Sequence, residues 1–176
     1  TIITEYFDSD LYFQKFDKKA KVITSIAMFY DLEYPNKFVS DISKILDENG
    51  VWVLELAYLP LTLSQLAFDT VVHEHLEYYH LKALEFLLNI HDLQVTDVFL
   101  NDINGGSFRL FVNHKGLKIE EPAQNRIDDL RKFENDLHLD TEKPYVEFVD
   151  KLSEEKQKLV SFLKNETKSG KIVYGY

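Results

Sequence analysis

The sequence predicts an α/β fold: a mainly parallel sheet that ends in an antiparallel hairpin and is followed by a helical connector. Three observations predict it. Two continuous apolar runs, residues 22–28 and 51–57, bracket an amphipathic stretch, and strand, helix, strand in that order is a βαβ unit with a right-handed crossover. Two more strand-like runs, 93–100 and 107–112, flank the turn cluster Asn101-Asp-Ile-Asn-Gly-Gly106, which makes a hairpin. Residues 123–137 and 144–168 show helical apolar periodicity with charges opposite.

Taken in order, residues 1–20 mix acids, lysines and aromatics without a period, and Asp17-Lys-Lys-Ala-Lys21 reads as a solvated approach. Residues 22–28 (Val-Ile-Thr-Ser-Ile-Ala-Met) are rich in β-branched side chains, as in a parallel strand covered on both faces. Residues 29–35 (Phe-Tyr-Asp-Leu-Glu-Tyr-Pro) form a loop, because proline fixes its own φ and pushes Tyr34 out of the helical region. From Asn36, Phe38, Ile42, Ile45 and Leu46 share one helical face, and Asn49-Gly50 supplies the stop. After the second strand, at 51–57, the chain is expected at the carboxyl edge of the sheet, the edge where open α/β sheets bind ligands. Leu81, Leu84, Leu87 and Leu88 then mark another amphipathic helix ending near His91-Asp92.

Composition narrows the function. The chain has 176 residues, 45% of them hydrophobic, enough for one core. Thirty acids against twenty bases give a formal charge of −10, which disfavours nucleic acid and anionic membrane as partners. With no cysteine, disulfides, thiolate catalysis and cysteine zinc sites are excluded together, and a reducing, cytoplasmic setting is expected. No apolar run approaches the roughly 20 residues of a membrane span, and no signal peptide is visible. The chain opens at Thr1 and closes on Lys171-Ile-Val-Tyr-Gly-Tyr176, a strand-like run, so the expectation is a piece of a longer protein.

Chemistry concentrates in residues 68–80, Phe-Asp-Thr-Val-Val-His-Glu-His-Leu-Glu-Tyr-Tyr-His, where three histidines, three acids and two tyrosines fall in thirteen positions. This run follows the second strand and is expected over the carboxyl edge of the sheet. His73, His75 and His80 lack the His-Glu-x-x-His spacing that puts two imidazoles on one helix face, so no metal site is expected. Tyr78 and Tyr79 suit partial core as well as ligand contact. Gly105-Gly106-Ser107 reads as a turn, with close backbone approach to a ligand as the functional alternative. His91, His114 and His138 read as surface or helix-end residues.

Three motifs in order, Phe29-Tyr-Asp-Leu-Glu-Tyr-Pro35, His73-Glu-His-Leu-Glu-Tyr-Tyr79 and Asn101-Asp-Ile-Asn-Gly-Gly-Ser-Phe-Arg109, resemble those of the sugar C-methyltransferases. These S-adenosylmethionine-dependent enzymes methylate a carbon of nucleotide-linked keto-deoxysugars. The resemblance implies that residues 1–116 are the carboxyl-terminal part of a class I methyltransferase (Rossmann-like) domain, 117–170 a helical connector, and 171–176 the start of a further Rossmann-like domain. It places the family's cysteine zinc ligands and its glycine-rich cofactor loop before Thr1, so the chain alone is expected to be inactive.

Methylation beside a ketone needs a base, a donor to the enolate oxygen and a positioned methyl group. The resemblance assigns His75 as general base and Glu74 as substrate-binding or orienting group; Tyr30, in the loop after the first strand, is the candidate donor to the enolate oxygen by its own chemistry. The resemblance assigns Ala27 and Met28 to the S-adenosylmethionine cofactor, and Tyr79, Gly106 and Ser107 to a nucleotide-sugar substrate. The chain departs from the family at Val72, where a tyrosine is common, and at Tyr30, where some members carry a histidine. The competing expectation is a non-enzymatic α/β interaction module whose terminal helix mediates assembly; a homo-oligomer would suit either.

Overall fold

The computed structural model describes residues 2–175. Its ordered elements are α1 (Ser9–Lys15), β1 (Ala20–Ile26), α2 (Pro35–Ile45), β2 (Leu46–Ala57), α3 (Leu59–Ser64), α4 (Leu81–Ile90), β3 (Leu93–Asn101), β4 (Ser107–His114), α5 (Glu121–Asp136) and α6 (Lys143–Lys168). The sheet runs β1-β2-β4-β3. The fold is α/β, as expected, and the βαβ unit and the hairpin both form.

The pairing is less parallel than expected. Only β1 and β2 run parallel, whereas β4 inserts between β2 and β3 and is antiparallel to both. The βαβ crossover can link only one parallel pair, and the hairpin must bring β4 back antiparallel to β3.

One sheet face carries the core. Along β2, Trp52, Leu54 and Leu56 are buried, as are Phe108, Leu110 and Val112 opposite them on β4, and they pack with Val39 and Ile42 of α2, Leu84 and Leu88 of α4 and Ile127 and Leu130 of α5. Trp52 Nε1–H donates to Ser25 Oγ at 3.0 Å, so the indole is buried without an orphaned donor. The opposite face is thinly covered: Val22 and Ile26 of β1 are 61% and 50% exposed, and Phe99 of β3 is 46% exposed. The expectation that β1 is covered on both faces therefore fails: Ser25 is buried against Trp52, while Val22 and Ile26 on the alternate face are left exposed.

Local chemistry corrects three more expectations. Gly50 does not stop α2; it lies inside β2, where a Cβ would sit 2.8 Å from the Ala20 carbonyl oxygen, and the β1–β2 register shifts between Ala20 and Val22. Residues 1–20 contain a helix after all: Asp8 caps α1 by accepting the Asp10 and Leu11 backbone N–H groups, and Ser9 Oγ–H donates to the buried Asp41 of α2 at 2.8 Å. Helix α3, with Pro60 in its first turn, separates β2 from the histidine-rich run. Residues 171–175 join no regular element, and Tyr176 lies outside the described residues.

Candidate active site

Three chain segments reach the carboxyl edge of the parallel pair. Ala27 leaves β1 with φ 53° while its N–H donates to the Glu55 carbonyl, and Met28 then opens a 3-10 turn, Phe29–Asp31. The histidine-rich run folds over this turn without helix or strand structure of its own beyond a 3-10 turn at Phe68–Thr70. It is held by main-chain bonds: the Tyr30 carbonyl accepts from both Leu76 and Glu77 N–H, and Leu59 N–H donates to the Tyr79 carbonyl. The third segment is the β3–β4 loop, where Asn104, Gly105 and Gly106 have φ of 52°, 77° and 114° in succession.

These segments enclose a cleft of about 390 Å³ lined by Tyr30, Ala57, Asp69, Thr70, Val72, His75, Asn104 and Gly105. The Tyr30 and His75 rings lie 4.3 Å apart, centroid to centroid. Burial, and then the neighbouring Asp31 charge, push the Tyr30 hydroxyl above its usual range, so it stays protonated and able to donate at neutral pH. His75 is half-buried, and its Nδ1 lies 2.8 Å from the Thr70 carbonyl oxygen.

The structure thus brings together two of the three predicted catalytic residues. Glu74 is not with them: its side chain is 72% exposed, lies 3.8 Å from His73 Nε2, and does not line the cleft. His73 and Glu74 are the central residues of a turn closed by His75 N–H to the Val72 carbonyl, which leaves both side chains in solvent while His75 is half-buried. Ala27 and Met28, the expected cofactor residues, stand just past the end of β1 and are not among the residues that line the cleft. Gly106 and Ser107 close the hairpin loop beneath it: a Cβ on Gly106 would sit 2.7 Å from Leu61 Cβ, and Ser107 Oγ–H donates to the Ile103 carbonyl at 2.9 Å. Tyr79 faces the core, with its ring 5.2 Å from Phe29, and its buried hydroxyl has no partner among the described residues. Tyr79, Gly106 and Ser107 therefore act first on the scaffold. Asp69, Thr70 and Asn104 line the cleft without having been singled out; only their place within two polar motifs could have flagged them.

His80, the last residue of the run, belongs to a different constellation. Glu134 of α5 is 4% exposed and accepts from Tyr58 Oη–H at 2.8 Å, from Leu81 and Lys82 backbone N–H at 2.5 and 3.0 Å, and from His80 Nδ1 at 3.1 Å. It caps α4 from a distant helix. Among the described residues, no group of three or more His, Cys, Asp or Glu is arranged to hold a metal ion, and no helix is long and apolar enough to cross a membrane.

Residues 102–176 match the family described as "C-methyltransferase C-terminal domain". The chain is also 32% identical over 92 residues to the C-methyltransferase NovU of Streptomyces niveus, a likeness that takes in 52% of this chain and 22% of that protein. Among solved structures, LepI in complex with S-adenosylmethionine aligns over 56% of this chain and 27% of its own, at 12% identity and a TM-score of 0.47. Magnesium protoporphyrin IX methyltransferase from Synechocystis aligns over 57% of this chain and 48% of its own, at 14% identity and a TM-score of 0.44. The chain thus spans less than a quarter of the curated relative it matches, and its sequence likeness, in both the family and the relative, is to C-methyltransferases.

Proposed function

We propose that this chain is the substrate-facing part of an S-adenosylmethionine-dependent C-methyltransferase that acts on a nucleotide-linked keto-deoxysugar. The observation that carries this reading is the cleft itself, which puts an imidazole and a protonated phenol 4.3 Å apart at the carboxyl edge of the sheet, in a chain similar to C-methyltransferases. The cleft fits a cationic sulfonium: its lining includes a carboxylate, Asp69, and an aromatic ring, Tyr30, and no lysine or arginine. Ala27 and Met28 would hold the cofactor beside it.

His75 takes the proton from the carbon next to the ketone, and Tyr30 donates a hydrogen bond to the oxygen on which the enolate charge develops. Asp69 and Asn104, which both line the cleft, accept from and donate to substrate hydroxyls. When bound, S-adenosylmethionine would supply the electrophilic methyl group for the enolate carbon and would leave as the neutral thioether. Deprotonation and methylation are separable, which gives the test. In the complete protein, His75→Ala should abolish both methyl transfer and exchange of the substrate's acidic hydrogen with deuterated water; undiminished exchange defeats the base assignment.

A second reading, the interaction module, draws on α6. None of its residues is buried, and Val149, Leu159 and Phe162 are each more than half exposed. Self-association in sedimentation, lost on Phe162→Asp, would support it.

A further inference from the structure

The partner that orients His75 is a main-chain carbonyl. A carbonyl oxygen can only accept, so the 2.8 Å contact between His75 Nδ1 and the Thr70 oxygen requires the proton to be on Nδ1. Nε2 then carries the lone pair, and among the described residues it has no hydrogen-bond partner. We propose that the Thr70 carbonyl holds His75 as its Nδ1–H tautomer, so that Nε2 is the basic atom presented to the cleft, and that Thr70 is a positioning residue for the reaction.

Three features fix the carbonyl. Thr70 closes the 3-10 turn, and its Oγ1–H donates back to the Ala67 carbonyl at 2.7 Å. His75 N–H donates to the Val72 carbonyl at 3.2 Å, which folds the intervening residues into a tight loop and brings the ring back over residue 70. The ring's face meets Tyr30, which is itself tied to this loop by the Leu76 and Glu77 N–H groups. The exposed Glu74 takes no part. This tautomer suits the chemistry, because a ring protonated on Nε2 would offer the cleft a donor where proton abstraction needs a lone pair.

The inference rests on the reading of His75 as base, yet it can be measured without turnover. Long-range proton–nitrogen spectra of the ¹⁵N-labelled chain, taken at a pH where the ring is neutral and assigned by the signal lost in His75→Gln, report which ring nitrogen is protonated. The expected result is Nδ1–H for His75, a shift toward Nε2–H in Thr70→Val, and retention of Nδ1–H in Thr70→Ser, which keeps the hydroxyl. In the complete protein, Thr70→Val should lower kcat about tenfold to a hundredfold with little change in KM, as small misplacements of a reacting group do, and Thr70→Ser should restore it. An Nε2–H ring in the unaltered chain overturns this proposal and leaves the base assignment standing. Wild-type turnover by His75→Ala overturns the base assignment and leaves the tautomer standing.

Discussion

Two imidazole–carboxylate neighbourhoods draw on one short run, and they behave oppositely. In one, His80 meets Glu134 in the interior, where the carboxylate collects four hydrogen bonds from two parts of the chain, Tyr58 and residues 80–82. In the other, His73 and Glu74 stand in solvent 3.8 Å apart, with side chains 91% and 72% exposed. A buried carboxylate must be fully paired or it is lost as a charge, whereas an exposed ion pair contributes little. His75 fits neither case: one nitrogen is tied down and the other is left free at a cleft. Burial with complete pairing marks structure, full exposure marks solvation, and one tethered nitrogen facing a cavity marks chemistry.

The contrast can be broken from either side. The largest expected effect is from Glu134→Ala, which strips the partners from Tyr58, His80 and the α4 N-terminus; removing one member of such a buried cluster costs about 3–5 kcal/mol, to be read by urea or thermal unfolding. Burial would raise the Glu134 pKa, but the bonds from His80, the Lys82 and Leu81 N–H groups and Tyr58 together hold it below the ordinary glutamate range. A lowered folded pKa means that this stabilisation is fully present above the ordinary glutamate pKa and disappears as pH falls through the lowered one. The stability gap between wild type and Glu134→Gln should therefore narrow on acidification, and a gap that widens would contradict the pairing.

Next comes His75→Ala in the complete protein, expected to lower turnover about a hundredfold or more while leaving the melting temperature near wild type. Loss of stability with unchanged turnover would move His75 into the structural class. Tyr58→Phe keeps the ring packed on Phe108, 4.6 Å away, and deletes one donor to Glu134; a hydrogen bond to a charged group is worth about 1.5–3 kcal/mol, and unfolding measurements should show a loss of that order. Smallest is Glu74→Gln. It should leave stability unchanged and alter turnover far less than His75→Ala, and a large fall in kcat would put Glu74 back in the reaction.

The βαβ unit, the hairpin and both long helices were legible because each rests on local periodicity. Residues 51–57 form a strand-length run whose Trp52, Leu54 and Leu56 are buried, and the Gly105-Gly106 turn demands positive φ. Helix α1 was missed even though its Asp8 cap is written in the sequence, because seven residues carry too short a period to stand out. Gly50 was misread because a glycine that stops a helix and one that admits a neighbouring backbone look alike until the neighbour is placed.

The candidate site divides the same way. The sequence alone determined that residues 68–80 carry reactive groups and that they follow a strand ending at the sheet edge, since both follow from residue order and chain connectivity. Only the tertiary structure decided which of them act: it turned Glu74 outward, gave His80 to a glutamate 54 positions away, and set His75 between Tyr30 and the Thr70 carbonyl. The reason is physical. In a run without helix or strand, side-chain direction is set by long-range main-chain bonds, such as those to the Tyr30 carbonyl, and those partners are not encoded by local spacing.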